Sequence, residues 1–490
     1  MFLFIFVAIP LIVASVMLII GRFSRDILPD FLANLCFFLL LCASIMISCS
    51  WPGSGQYMHI LKWFSTNLNI KVVLDGLSLL MIFTISIVSL SVGLFSINYM
   101  GKYGSKSLYY AILLVLVASM NGIVLTADLF TMYIFIEASG IASYGLVSLG
   151  RTRYSTEGAF KYLVLSAIAS SFILLGIAGV FVNTGTTDIR SISASGFSSK
   201  FFIILFLTGF SFKCGLVPFH TWMPDAYTAA PAVLPAISSG IFVKVAGVYT
   251  VARIFFNALP FSAGVSSVMV YLGIISIVVG ALLALGQSGL KRLLAYSSIS
   301  QVGYIILGIG IGTPLGIIGG LLHMFNHAIF KSLLFLNAGA VEYTCGTDDS
   351  LKLGGLGKNM PFTSTTNVIG LLSAAGVPPL NGFWSKLIIV VALFKANMFL
   401  YGFIAILASV LTLGYLLLIQ RRVFFGKIKE CFENIVDVPF WMNLSMVGLG
   451  LVCVWVGVSF APILIKWVLP AANVLMQGIR TSFCALGGIL

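Results

Sequence analysis

Five titratable residues stand where apolar helices ordinarily carry leucine: Glu137, Lys213, Lys244, Lys331 and Lys386. An ionised side chain isolated in hydrocarbon is too costly to persist, so each must be neutral, hydrated or paired. Burial disfavours the charged form of lysine and a nearby carboxylate restores it. A Glu–Lys pair whose members approach and separate can therefore take up and release a proton. Glu137 with Lys213 has that chemistry, and a static helix–helix ion pair is the plain alternative. Lys213 stands just before Gly215-Leu-Val-Pro218, where proline must break a helix and free carbonyls that water can reach.

His323, His327 and Lys331 follow at four-residue steps, so they project from one side of a helix. Imidazole accepts a proton on one nitrogen and donates from the other, which suits a relay. The same spacing suits a metal pair, but no carboxylate or cysteine stands nearby as a third ligand. Satisfied core histidines are the bland alternative to a hydrated proton path. Lys386 follows a second break, Gly376-Val-Pro-Pro379, and is the natural last station, unless it snorkels to a span end. His220 and Asp225, just past the first break, suit a vestibule or clamp in which Asp225 tunes Lys213. The polar ladder Tyr296, Ser297, Ser298, Ser300, Gln301 and Tyr304 could order water toward the histidines or simply satisfy backbone carbonyls.

The elements that must position these residues follow from composition. Of 490 residues 60% are hydrophobic, against 27 basic and 14 acidic side chains, which excludes a cytosolic enzyme. The formal charge of +13 is spread through short loops rather than gathered in a patch, so nucleic acid is not an expected partner. Apolar runs repeatedly reach the length that crosses a bilayer. The expected fold is all-α and polytopic, with spans at 1–20, 30–48, 74–98, 108–126, 129–150, 160–182, 201–221, 230–256, 265–286, 292–311, 314–340, 363–394, 400–420 and 441–463. A weaker fifteenth lies at 467–489. The proline breaks fall in the seventh and twelfth spans, five apart, which suggests two five-helix repeats in inverted orientation. The units are then 1–107, 108–256, 265–420 and 421–490.

With the N-terminus outside, fourteen basic loop residues, Arg22 and Arg25 among them, face the cytoplasm, against six opposite. That orientation belongs to an inner or plasma membrane. The eight cysteines are scattered without a Cys-x-x-Cys pair, and there is no nucleotide or nucleophile motif, so no cofactor and no redox chemistry are expected within the chain.

Five segments carry a resemblance. They are Asp75-Gly-Leu-Ser78, Glu157-Gly-Ala-Phe-Lys161-Tyr, Lys213 through Asp225, Asn326-His-Ala-Ile-Phe-Lys331 and Pro378-Pro-Leu-Asn-Gly-Phe-Trp-Ser-Lys386. Across about residues 70 to 420 the chain resembles the antiporter-like membrane subunits of respiratory complex I, of membrane-bound hydrogenases and of multisubunit cation/proton antiporters (the D-type subunit). The resemblance implies fourteen helices with two inverted five-helix repeats, each holding a broken helix, and a central polar axis. It implies that Glu137 gates Lys213, that Lys244 connects, that His323 and His327 relay beside Lys331, and that Lys386 is terminal. Partners are then other membrane subunits, including small ones and paralogues, with lipids, protons and sodium. A proton-translocating subunit of a redox-driven complex is the first reading. An antiporter subunit without redox coupling is the alternative, and a stand-alone transporter or a membrane scaffold is the third. Sodium would need oxygen ligands, which Glu137, Asp128 and Asp225 could supply.

Overall fold

The computed structural model describes residues 2–21, 27–51, 57–62 and 69–485; Arg22 and Arg25 lie outside them. Chain order begins with α1 (Ile5–Ile20) and α2 (Ile27–Ser50), then an antiparallel hairpin of β1 (Tyr57–Lys62) and β2 (Asn69–Leu74) with Tyr57 paired to Leu74. There follow α3 (Gly76–Tyr99), α4 (Lys106–Leu125), α5 (Leu129–Ser148), α6 (Arg153–Thr184), the short α7 (Ile189–Ser195), α8 (Lys200–Cys214) and α9 (Trp222–Ala229). Next, α10 (Val233–Ile237) runs through a π-helical stretch, Ser238–Tyr249, into α11 (Thr250–Asn257). The chain continues with α12 (Ala263–Leu285), α13 (Leu290–Gly310), α14 (Pro314–Cys345), α15 (Pro361–Ala375), α16 (Asn381–Lys395) and α17 (Phe399–Phe424). It closes with α18 (Phe440–Val458), α19 (Phe460–Ile463) and α20 (Leu469–Ala485).

Among the described residues twelve helices are long and apolar enough to cross a membrane. The chain is thus an all-α polytopic membrane protein with a small hairpin that hydrophobic runs did not foretell. Of two expected spans, 201–221 holds α8 and a turn, with α9 beginning just beyond it, and 363–394 is divided between α15 and α16. Gly215 (φ 67°) and Gly376 (φ 84°) end α8 and α15 in the left-handed region, which costs a glycine nothing. Each is followed by a cis X-Pro bond, Val217–Pro218 and Pro378–Pro379.

Helix starts are set by side-chain caps that satisfy amides left free at the first turn. Asp75, Ser105, Asp128, Asp188, Ser262 and Thr313 each accept from a backbone N–H three residues on, and Thr152 with Ser155 forms a reciprocal box. The bounds of one set of helices recur in another. Leu290, Pro314 and Pro361 open α13, α14 and α15, and each stands 161 residues after Leu129, Arg153 and Lys200, which open α5, α6 and α8. The β-bridge Asp128–Asp188 and the β-bridge Gly289–Asp349 are related by the same offset.

α3, α4, the Val233–Asn257 segment, α13 and α14 are buried nearly all round, as apolar helices in a core must be. α2, α5, α6, α17 and α18 keep an outer face of exposed residues such as Phe38, Ile141, Val182, Leu407 and Val458. These faces suit hydrocarbon or neighbouring membrane subunits. α12 and α13 approach backbone to backbone: a Cβ on Gly273 would fall 2.9 Å from Leu307 N, and one on Gly280 2.6 Å from Ser300 N.

Candidate functional site

Glu137 lies on α5 and Lys213 in the last turn of α8, and α6 supplies a partner to each. Lys213 Nζ donates to Ser166 Oγ at 2.7 Å and stands 3.7 Å from Glu137 Oε1. Ser170 donates a short hydrogen bond to the same carboxylate oxygen. Ser166 and Ser170 are one turn apart on α6, so that helix holds the acid and the base on a single face. The lysine side chain is 1% exposed and the glutamate 32%, so the carboxylate is the member open to its surroundings. Trp222 closes the site: its Nε1 donates to Phe212 O at 3.1 Å and its ring stacks on Tyr162 with centroids 4.3 Å apart.

Lys244 is fully buried on the π-helical stretch, and its Nζ has no hydrogen-bond partner among the described residues. His327 is equally buried and both its ring nitrogens lack partners among the described residues. His323 is held from two sides, by Ser385 Oγ at 2.9 Å from Nδ1 and Gln301 Oε1 at 3.2 Å from Nε2. The two imidazoles lie near parallel with centroids 6.1 Å apart. Lys331 Nζ donates to Leu294 O at 3.2 Å. Lys386 is buried rather than snorkelling. Its Nζ caps the end of α15 by donating to Ala374 O at 2.7 Å and to Ala375 O at 3.3 Å, reaches Ser409 Oγ at 3.1 Å, and lies 5.0 Å over the Tyr304 ring.

The offset of 161 residues sets Tyr162, Ser166 and Ser170 of α6 against His323, His327 and Lys331 of α14. Two serines that hold the Glu137–Lys213 pair thus correspond to a histidine and a lysine of the buried row. These serines were missed in sequence, since a hydroxyl inside a span ordinarily serves the backbone.

Other expectations land differently. Asp225 bonds Arg292 at 3.4 Å and stands 3.5 Å from Lys161, at the surface, rather than facing Lys213. Its place in the first turn of α9 turns it outward. His220 is half-buried in the turn between α8 and α9, and its Nδ1 has no partner among the described residues. Of the polar ladder Gln301 hydrogen-bonds His323, and Tyr304 lays its ring beside the same imidazole with centroids 5.8 Å apart. Ser297 accepts from the Tyr415 hydroxyl at 2.8 Å, Ser298 meets Ser239 at 2.9 Å, and Ser300 donates to Ile277 O at 3.0 Å. Among the described residues three ion pairs with a buried member were unforeseen: Arg253 with Asp75 through two hydrogen bonds of 2.7 and 2.9 Å, Lys106 with Asp30 at 2.6 Å, and Lys291 with Glu342 at 3.0 Å. Lys291, in the first turn of α13, is itself buried. No group of three or more metal-ligating side chains assembles among the described residues.

This arrangement is a row of buried titratable side chains, and the chain that holds it is similar to known proteins over most of its length. The family described as NADH:quinone oxidoreductase/Mrp antiporter, TM, matches residues 126–412, and the complex I chain 5 N-terminus family matches 63–110. The D-type component of the Na(+)/H(+) antiporter of Alkalihalophilus pseudofirmus is 31% identical over 87% of this chain and 88% of its own length. The M component of the F(420)H(2) dehydrogenase of Methanosarcina mazei is 31% identical over 85% and 86%. A chain of the Mrp complex from a Dietzia species superposes with a TM-score of 0.90 at 25% identity, over 99% of each chain. One from an archaeal membrane-bound sulfane sulfur reductase gives 0.90 at 27% identity, over 98% and 99%. The chain belongs to the antiporter-like membrane subunit family shared by complex I, related archaeal respiratory complexes and Mrp-type Na(+)/H(+) antiporters.

Proposed function

We propose that this chain is an ion-translocating subunit of a multisubunit cation/proton antiporter. The observation that carries the reading is the Glu137–Lys213 pair, held 3.7 Å apart by two serines at the head of a buried row of lysines and histidines. In the proposed sequence, cation binding or a motion of a neighbouring subunit moves Glu137 relative to Lys213, the lysine changes its proton occupancy, and charge shifts pass through Lys244 and the histidines, with Lys331 beside them, to Lys386. Like charges in a low-dielectric interior interact strongly enough for one site's occupancy to bias the next. Relatives that are antiporter subunits and match over most of their length favour this reading.

The proposal includes fourteen spans with the N-terminus outside, and two inverted repeats over 108–256 and 265–420 in which α8/α9 and α15/α16 are the broken spans. The recurrence of helix bounds at one offset supports the repeat. His220 and Asp225 would line the approach to the first break, and other membrane subunits would cover the exposed apolar faces.

The second reading places a proton-translocating chain in a redox complex, with electron transfer elsewhere as the drive. It is favoured by the dehydrogenase relative and by the N component of the NADH-quinone oxidoreductase of Desulforudis audaxviator, 30% identical over 84% of this chain. Everted membrane vesicles containing the whole complex separate the two. Sodium-driven proton efflux without an electron donor supports the antiporter, while flux that needs a donor supports the redox complex. Lys213→Ala and Glu137→Ala should each lower flux by about a hundredfold in either case. Normal flux in those variants, with normal assembly, would sink the translocation reading.

A further inference from the structure

The chain turns between α9 and α10 at Ala230-Pro231-Ala232, an elbow that is buried on both sides of the proline. Two backbone groups there fall at helix ends and need partners from elsewhere. Lys291 Nζ donates to Ala230 O at 3.2 Å, and the Ala232 amide donates to the Tyr99 hydroxyl at 3.1 Å. Glu342 joins the two donors: Oε1 accepts from Lys291 Nζ at 3.0 Å and Oε2 from the Tyr99 hydroxyl at 3.2 Å. The result is a closed ring of side chains from α3, α13 and α14 that grips the main chain before and after Pro231.

Beyond the elbow, α10 and the π-helical stretch run antiparallel along α14. A Cβ on Gly339 would fall 2.5 Å from Ala232 Cβ, Ser332 Oγ donates to Ala236 O at 2.8 Å, and a Cβ on Gly240 would fall 2.2 Å from that same Ser332 Oγ and 3.4 Å from Ala328 O. One more turn in this register sets Lys244 against the turn of α14 bounded by His323 and His327. Lys244 Nζ and both nitrogens of His327 have no hydrogen-bond partner among the described residues. Their mutual distance is therefore set by how the two backbones are registered, and the ring fixes that register at its open end.

We propose that Tyr99, Glu342 and Lys291 are positioning residues: their ring pins the α9–α10 elbow to α14 and so holds Lys244 level with the two histidines. Glu342 acts here as a hydrogen-bond acceptor and carries no proton onward.

This role rests on the translocation reading, so the test carries that reading's own control, Lys213→Ala. Proton flux is measured in everted vesicles holding the whole complex, with assembly checked by native electrophoresis, and amide hydrogen exchange over residues 231–249 is followed in the solubilised complex. Tyr99→Phe frees the Ala232 amide. Flux should fall about tenfold and exchange in the segment should quicken. Glu342→Met should do the same, whereas Glu342→Gln, which keeps polar atoms facing Lys291 and Tyr99, should lose no more than about threefold. Wild-type flux in Tyr99→Phe, or a fall without faster exchange, would overturn the positioning role. Flux in Glu342→Gln as low as in Glu342→Met would make the carboxylate a carrier of charge and overturn it as well. Wild-type flux in Lys213→Ala would instead remove translocation by this chain. Ser332→Ala takes away the second tie without touching the ring, and it decides the matter if the ring variants do not assemble: a several-fold loss with faster exchange supports the register, and unchanged flux overturns it.

Discussion

The Lys213 ammonium stands 3.7 Å from the Glu137 carboxylate, beyond hydrogen-bond reach, because each is held by a serine of its own. The pair is close enough to attract and too far apart to lock. Ser166→Ala removes the lysine's direct bond to α6 and should let it close on Glu137. Ion flux in vesicles is then expected to fall several-fold at unchanged assembly, and an unchanged rate would mean that Ser166 is idle.

The Asp75–Arg253 pair is a different case, since both side chains are buried and joined by two bonds, with Ser78 and Tyr249 completing the network. Breaking such a pair leaves a charge without compensation, at about 3–5 kcal/mol. Arg253→Met is therefore expected to lower the melting temperature of the detergent-solubilised protein sharply, and Asp75→Asn with Arg253→Met less than the sum of the two.

Asp188 lies outside the spans, capping α7 and bonding Lys71 at 2.8 Å. Burial alone would raise its carboxyl, but the Lys71 ammonium and the Ser191 amide and hydroxyl outweigh that and hold it below the usual range. A depressed carboxyl stabilises the fold above its unfolded value of about 3.9, and that contribution disappears as pH falls through the folded value. The wild type should exceed Asp188→Asn by less than about 1 kcal/mol near neutral pH, because Lys71 is 37% exposed. Melting curves of the two should converge below about pH 4, since the variant keeps the cap but not the charge.

Gly382 lies in the first turn of the helix that carries Lys386, and a Cβ there would fall 1.8 Å from Ser373 O. The obstacle is backbone, which cannot rotate away. Gly382→Ala should cost at least about 1–3 kcal/mol and part α15 from α16. Loss of assembled protein in membranes, measured by immunoblot, is the expected result, and normal yield would show that the two helix ends can slide.

The residues of the buried row were legible because a charge inside an apolar run has few explanations, and the breaks were legible because proline acts locally. Glu137, Lys213 and Lys386 needed nothing more. The pairing of Asp225 with Arg292 and Lys161 was not legible, because closeness in sequence to a helix break says nothing about which way the first turn of α9 faces. Lys291–Glu342 and Asp75–Arg253 stayed hidden because each joins residues 51 or 178 positions apart at span ends, where a basic residue ordinarily signals topology. The hairpin was hidden as well, since its twelve strand residues make no apolar run.

Where Gly273 and Gly280 bring α12 and α13 into backbone contact, the glycines themselves offer no side chain to change rotamer and absorb a displacement. The two must travel as one stiff plank. That plank carries Lys291 at one end and Gln301, the partner of His323, almost three turns further along. A displacement of Lys291 along the helix is then expected to reach Gln301, and with it the hydrogen bond to His323.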